Sequence, residues 1–160
     1  MAKQVKPIPE GFHSLTPHLT VRDAAGMIDF YKRAFGAVEL NRAPGPDGKG
    51  IMHALLRIGD SHLMLNDEFP PMKCFSPLAF EGTAVAISLY VDNVDAVFQQ
   101  AVEAGGIVGM PIQDMFWGDR YGQIKDPSGH LWEIATHKED LSKEEMTERM
   151  KAAFATADCT

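Results

Sequence analysis

Among the 160 residues of this chain, Glu133 makes the strongest chemical demand on its surroundings. It stands between Trp132 and Ile134 in the stretch LWEIAT, which is short of other charge. A carboxylate so placed needs a hydrogen-bonding partner, a metal or water. If LWEIAT is a strand, alternation turns Trp132 and Ile134 to one face and Leu131, Glu133 and Ala135 to the other. The same parity argument, applied along the chain, gathers more polar groups on the face that no helix covers. LTPHLTV offers Thr16, His18 and Thr20, with Leu15, Leu19 and Val21 beneath a helix. IMHALLRI offers His53 and Arg57 beside Ile51 and Leu55, with Met52, Ala54, Leu56 and Ile58 buried. VAISLYV offers Ser88 and Tyr90 beside Ala86, with Val85, Ile87, Leu89 and Val91 beneath the helix. HLMLND is expected to add Leu63, Leu65 and Asp67 to the free face. A few placed polar groups on an apolar wall are the make-up of a ligand pocket. A solvated sheet face has a similar make-up, and the isolated Glu133 favours the pocket.

A second candidate is the loop MFWGDRYG, where Gly118 and Gly122 permit tight turns and Phe116, Trp117 and Tyr121 offer aromatic surface. It reads equally as a rim closing over a flat ligand or as a hairpin whose aromatics fill an interface. Asp119 and Arg120 read as a local ion pair. PGPDGKG lacks the ending of a phosphate loop and opens no helix, so it reads as a turn. His62, His130 and His137 fall at strand ends or turns, where solvation is expected. Cys74 and Cys159 match no zinc or redox spacing and read as free thiols.

The elements that must position these groups come in two copies. LTPHLTV, then Asp23, then AAGMIDFYKRAFGA with Met27, Ile28, Tyr31 and Phe35 at helical spacing and Gly36 as a stop, make the first strand and helix. VAISLYV, then VFQQAVEAGG with Val94, Val97, Phe98, Ala101 and Val102 as its stripe, repeat that order about 70 residues later. Each helix is followed by material for three strands: VELNRA, IMHALLRI and HLMLND, then IVGMPI, RYGQIK and LWEIAT. The predicted fold is α+β, two paired βαβββ modules forming an open cup, with a C-terminal helix. The predicted modules span about 11–67 and 84–137, within a domain 1–137, joined by a proline-rich linker 68–83. The tail 138–160 holds a capping box, Ser142 with Glu145, and an apolar face of Met146, Met150 and Phe154. It is expected to pack on the body or on a partner chain.

Composition bounds the partners. With 15 lysines and arginines against 22 acidic residues, the chain carries a formal net charge of -7. That balance disfavours nucleic acid and anionic membrane surfaces. No apolar run approaches the roughly 18 residues of a membrane span. MAKQVKPIPEGFH has two lysines with no apolar stretch behind them, so a cytoplasmic location is expected. A chain that is 45% hydrophobic has material for a packed core.

Together, TVRDAAGMIDFYKRAFGA, LYVDNVDAVFQQAVEAGG and the closing hairpin DPSGHLWEIA resemble the vicinal oxygen chelate superfamily. That superfamily includes glyoxalase I, extradiol dioxygenases, fosfomycin-resistance enzymes and bleomycin-binding proteins. From TPHLTV through MHALLRIGDSHLML to MFWGDRYGQIKDPSGHLWEIATHKEDL the chain is most similar to its PhnB-like branch. The resemblance implies a small-molecule ligand and a homodimer. In metal-using members, ligands come from the first and last strand of each module. By that pattern Glu133 is a ligand and His18 a shifted one, while Leu65, and Ala86 or Ser88, depart from it. His18, Glu133 and His53 would then form a set suited to zinc, iron, nickel or manganese. This implies a metal-dependent lyase, isomerase or dioxygenase, with Glu133 and His53 catalytic. Thr16, Arg57, Ser88, Tyr90, Trp117 and Tyr121 would contact the substrate. The alternative is a metal-free protein that sequesters a flat, partly aromatic molecule, as bleomycin-binding relatives do. A methyltransferase label, common among PhnB-like sequences, does not suit a chain lacking the glycine-rich strand-to-helix loop that binds S-adenosylmethionine.

Overall fold

The computed structural model describes residues 5–155 of the chain. Its first module runs β1 (His18–Val21), α1 (Ala24–Phe35), β2 (Val38–Pro44), β3 (Ile51–Ile58) and β4 (Ser61–Asp67). The second repeats the order with β5 (Ala86–Tyr90), α2 (Val94–Glu103), β6 (Ile107–Asp114), β7 (Asp119–Lys125) and β8 (Leu131–His137). A third helix, α3 (Lys143–Ala155), follows. Each module closes a four-stranded mixed sheet, in the orders β1-β4-β3-β2 and β5-β8-β7-β6. In both, the first strand runs parallel to the last and the remaining pairs are antiparallel. This is the paired βαβββ architecture expected from the repeat.

The helices form where local chemistry favours them. The side chain of Asp23 accepts from the N–H of Gly26 at the start of α1, and Asn93 does the same for Ala96 in α2. Gly36 ends α1 with φ of 64°, a conformation glycine adopts without steric cost. The apolar stripes then meet: Met27, Ile28, Tyr31 and Ala34 of α1 share one buried cluster with Val94, Phe98 and Ala101 of α2. α1 lies against α2, so the helical sides of both sheets merge. The outer strands β1 and β5 line a shared cleft of about 460 Å3, and a second of about 350 Å3 lies between β5 and the segment that leads into β1.

The junction of the two modules is polar at one point. Asp126, in the β7–β8 turn and 1% exposed, takes the Tyr31 hydroxyl (2.7 Å) and the Trp132 indole N–H (3.0 Å) on one oxygen. Its other oxygen takes the backbone N–H groups of Ser128 and His130. Every acceptor of this buried carboxylate is used, as burial requires. Nearby, the N–H of Arg22 donates to Ser128 Oγ, and His130 Nε2–H donates to the Thr20 carbonyl.

Several expectations are corrected. Leu63 and Leu65 are buried, not on the free face, because β4 sets them directly opposite Leu56 and Ala54 of the buried set. Opposed residues of an antiparallel pair share a face, so His62, Met64 and Asn66 occupy the free one. Asp67 turns to the helical side, accepting from the N–H of Ala24 and of Ile51 at 2.6 Å each. Leu15 is 89% exposed and Val85 69%, since both strands begin one or more residues later than expected. Proline 17 has no N–H to donate, and pairing starts from its carbonyl, which accepts from Met64. Ile51 is buried and Met52 exposed, beside a break in the β2–β3 register between Ala43 and Pro44. Arg120 pairs with Asp95 and Asp114 rather than Asp119. His130 and His137 are both hydrogen-bonded rather than simply solvated, and His62 stacks on Phe12 at 4.3 Å.

The linker carries two short 3-10 turns at Pro70–Met72 and Pro77–Ala79. On α3 the capping box forms, with reciprocal bonds between Ser142 and Glu145. The helix buries none of its described residues. It touches the body through Phe154 against Phe116 (6.1 Å between ring centroids) and Arg149 against Glu139. Cys74 is a free thiol, while Cys159 lies outside the described residues. No helix among the described residues is long and apolar enough to cross a membrane.

Candidate functional site

The parallel pairing of β5 with β8 sets Ser88 beside Glu133, and the β7–β8 register sets Gln123 beside it on the other flank. Three neutral donors converge on the carboxylate. Ser88 Oγ donates to Oε2 at 2.7 Å, Tyr121 OH to Oε1 at 2.8 Å, and Gln123 Nε2 reaches Oε1 at 3.4 Å. Gln123 also donates to Tyr121 OH at 2.7 Å. Burial, with the Glu133 carboxylate beside it, raises the Tyr121 hydroxyl above its ordinary range, so it stays a donor at neutral pH. Glu133 therefore has its partners, but all are neutral. Among the described residues it enters no ion pair.

A second carboxylate closes the same cavity. Asp119, at the start of β7 and 5% exposed, accepts from Tyr90 OH at 2.8 Å and from the Trp117 indole N–H at 3.1 Å on Oδ2. Its Oδ1 receives His137 Nδ1 at 2.7 Å, and His137 Nε2 reaches Asp140 at 3.1 Å. An imidazole donates from both nitrogens only when protonated, and the two carboxylates raise His137 above its ordinary pKa. Burial pushes the Asp119 carboxyl up, but the bonds from His137, Tyr90 and Trp117 outweigh it and hold the group below the usual range. Ser88, Tyr90, Trp117, Tyr121, Glu133 and Asp119 thus surround one cavity of about 280 Å3, floored by Ala135. The aromatic rings of Trp117 and Tyr121 meet edge to face at 5.5 Å.

The first sheet holds the two candidate histidines. His18 and His53 lie edge to face, 5.6 Å between centroids. Burial and the neighbouring His53 lower the pKa of His18, against a bond from Asn66. His18 and Thr16 line a cleft of about 460 Å3 together with Ser88, which in turn holds Glu133. Arg57 stands exposed on the same sheet, opposite His62 and Val38.

Register gives the structural counterparts across the repeat. His18 lies beside Met64 as Ser88 lies beside Glu133, and Leu55 flanks Met64 as Gln123 flanks Glu133. The first-module counterpart of Glu133 is therefore Met64, whereas spacing alone points to Leu65. Across the four first- and last-strand positions there is one imidazole, one carboxylate, one hydroxyl and one thioether. No group of three or more His, Cys, Asp or Glu among the described residues is placed to hold a metal ion. The donors brought together here fall short of the three protein ligands of a catalytic metal centre.

Gln123, Asp119 and Met64 are the site residues that spacing did not single out. Gln123 was accessible by parity, since it stands two residues from Tyr121 on one strand. Asp119 was hidden by the adjacent Arg120, which looked like its partner.

A model of the Glyoxalase/Bleomycin resistance protein/Dioxygenase superfamily matches residues 11–134. Mb0911c of Mycobacterium bovis is 47% identical over 142 residues, covering 87% of this chain and 93% of its own. Among solved structures, TioX from Micromonospora sp. ML1 superposes with a TM-score of 0.62 at 30% identity, over 78% of this chain and 98% of its own. TnmS3, an antibiotic binding protein from Streptomyces sp. CB03234, does so with a TM-score of 0.57 at 25% identity, over 79% and 96%. The PhnB protein of Bacillus cereus shares the fold, with a TM-score of 0.60 at 17% identity over 78% and 99%.

Proposed function

Because the chain belongs to the Glyoxalase/Bleomycin resistance protein/Dioxygenase superfamily, we propose that its free sheet face is a small-molecule site and that it works by binding and sequestering an organic ligand without a metal. The observation that carries this reading is the engagement of Glu133 by Ser88, Tyr121 and Gln123. At the position where metal-using relatives place a ligand, both oxygens are oriented by neutral donors into an aromatic-walled cavity. Such a site binds by shape and hydrogen bonding, with its polar groups held in place before the ligand arrives. The antibiotic-binding TnmS3, which shares the fold, supports a sequestering role.

The second reading is a metal-dependent lyase, isomerase or dioxygenase, and the His18–His53 pair is the observation that favours it. His53 would then be a third ligand or a general base, and Arg57 would orient the substrate.

Metal analysis of protein purified without chelators or affinity-tag metal separates the two. The sequestering reading expects a metal-free parent that takes up no added zinc, nickel, manganese or iron(II), like its His18→Ala, Glu133→Ala double variant. Near-stoichiometric metal in the parent and none in the double variant would overturn it.

A further inference from the structure

Resting on the sequestering reading, we infer that the ligand of the Glu133 cavity is an organic cation, an amine or ammonium borne on a flat aromatic body. Three observations converge on it. First, the aromatic wall is tied at its polar tips. Tyr90 and Trp117 are tied by their polar tips to Asp119, and Tyr121 is tied to Glu133. Rings fixed in this way present π-faces at no further ordering cost, and such faces attract cations.

Second, the charge at the cavity is negative and unbalanced. Among the described residues, neither lysine nor arginine lines it. The nearest arginine in sequence, Arg120, is engaged outside by Asp95 and Asp114. Asp119 has His137 as its charged neighbour, whereas among the described residues the partners of Glu133 are the neutral Ser88, Tyr121 and Gln123. A half-buried carboxylate held only by neutral donors leaves a lone pair for a cationic guest.

Third, the donor chemistry favours an organic cation over a metal ion. The three donors on Glu133 compete with metal for its lone pairs, and aromatic rings cannot complete a coordination shell. An ammonium needs neither: it takes one free carboxylate lone pair and lies against ring faces. Its aromatic body would extend past Ser88 into the cleft shared with Thr16 and His18.

The test uses two near-isosteric probes, 1-naphthylmethylammonium and the neutral 1-naphthylmethanol, titrated into the full chain and followed by the Trp117 indole N–H resonance. The ammonium is expected to bind at least about tenfold more tightly than the alcohol, a difference of about 1.4 kcal/mol. Glu133→Gln should abolish the preference for the ammonium over the alcohol. The surface variant Glu148→Gln should leave both unchanged. The Tyr121 ring resonances give a second reporter in the unaltered chain, which separates loss of one signal from loss of the site. Equal affinities in the parent, or a preference for the ammonium that survives Glu133→Gln, would overturn the inference and leave the sequestering site standing. If neither probe shifts the Trp117 or Tyr121 resonances, both the inference and the site fall.

Discussion

At the scale of single residues, the two histidines nearest the candidate site are driven in opposite directions. His18 is lowered by burial and by His53. His137 is raised by hydrogen bonds to Asp119 and Asp140. Against an unfolded-state value of about 6.5, the signs differ. His137 contributes stability that is fully present below 6.5 and is lost as pH rises through its folded pKa. His18 costs stability as pH falls from 6.5 toward its lowered folded pKa, because the folded state resists the proton. Proton NMR titration should therefore place the His18 midpoint below 6.5 and that of His137 above it. Asp119→Asn should bring the His137 midpoint down, and His53→Ala should lift that of His18. A His137 midpoint at or below 6.5 would contradict the bridge between the two carboxylates. The same variant bears on the pocket, since Asp119 also holds Tyr90 and Trp117.

At the scale of elements, α1 is fastened to the β7–β8 turn by the Tyr31–Asp126 contact, and that fastening is buried. Burial and Asp126 drive the Tyr31 hydroxyl well above its ordinary pKa, so it remains a donor. Tyr31→Phe removes one of four bonds and should cost about 1–3 kcal/mol. Asp126→Ala strands the buried Tyr31 hydroxyl and Trp132 N–H together, and should cost more, about 3 kcal/mol or above. Urea unfolding with an unchanged slope would read both. Equal stabilities for parent and Asp126→Ala would show that the turn holds itself. The elements themselves were largely legible: alternation gave the strands, the stripes of Met27–Tyr31 and Val94–Ala101 gave the helices, and Asp23, Gly36 and Ser142 gave their ends. The face of β4 was not legible. Its run HLMLND has apolar residues at three successive positions, and only the register with Ala54 and Leu56 decides which of them is buried. Of the residues chosen by type, Glu133, Ser88, Tyr90, Trp117 and Tyr121 meet at one cavity. Hydrogen-bond partners depend on side-chain reach across strands, so spacing could not assign Asp119 to His137 or Gln123 to Glu133.

At the scale of the whole molecule, the homodimer that the family resemblance implies belongs to the proposal. Sedimentation equilibrium at micromolar concentration is expected to return twice the mass of the chain, and the mass of a single chain would remove the dimer. Within one chain, the two sheets divide their work. The first carries His18, Leu55 and Met64 where the second carries Ser88, Gln123 and Glu133. That correspondence makes each half a template for rewriting the other. Installing His18→Ser, His53→Tyr, Leu55→Gln and Met64→Glu would copy the carboxylate and its three donors onto the first sheet, on a backbone that already has the required register. A chain with one such carboxylate seat would become a chain with two, and the number of seats would be set by four side chains rather than by a new fold.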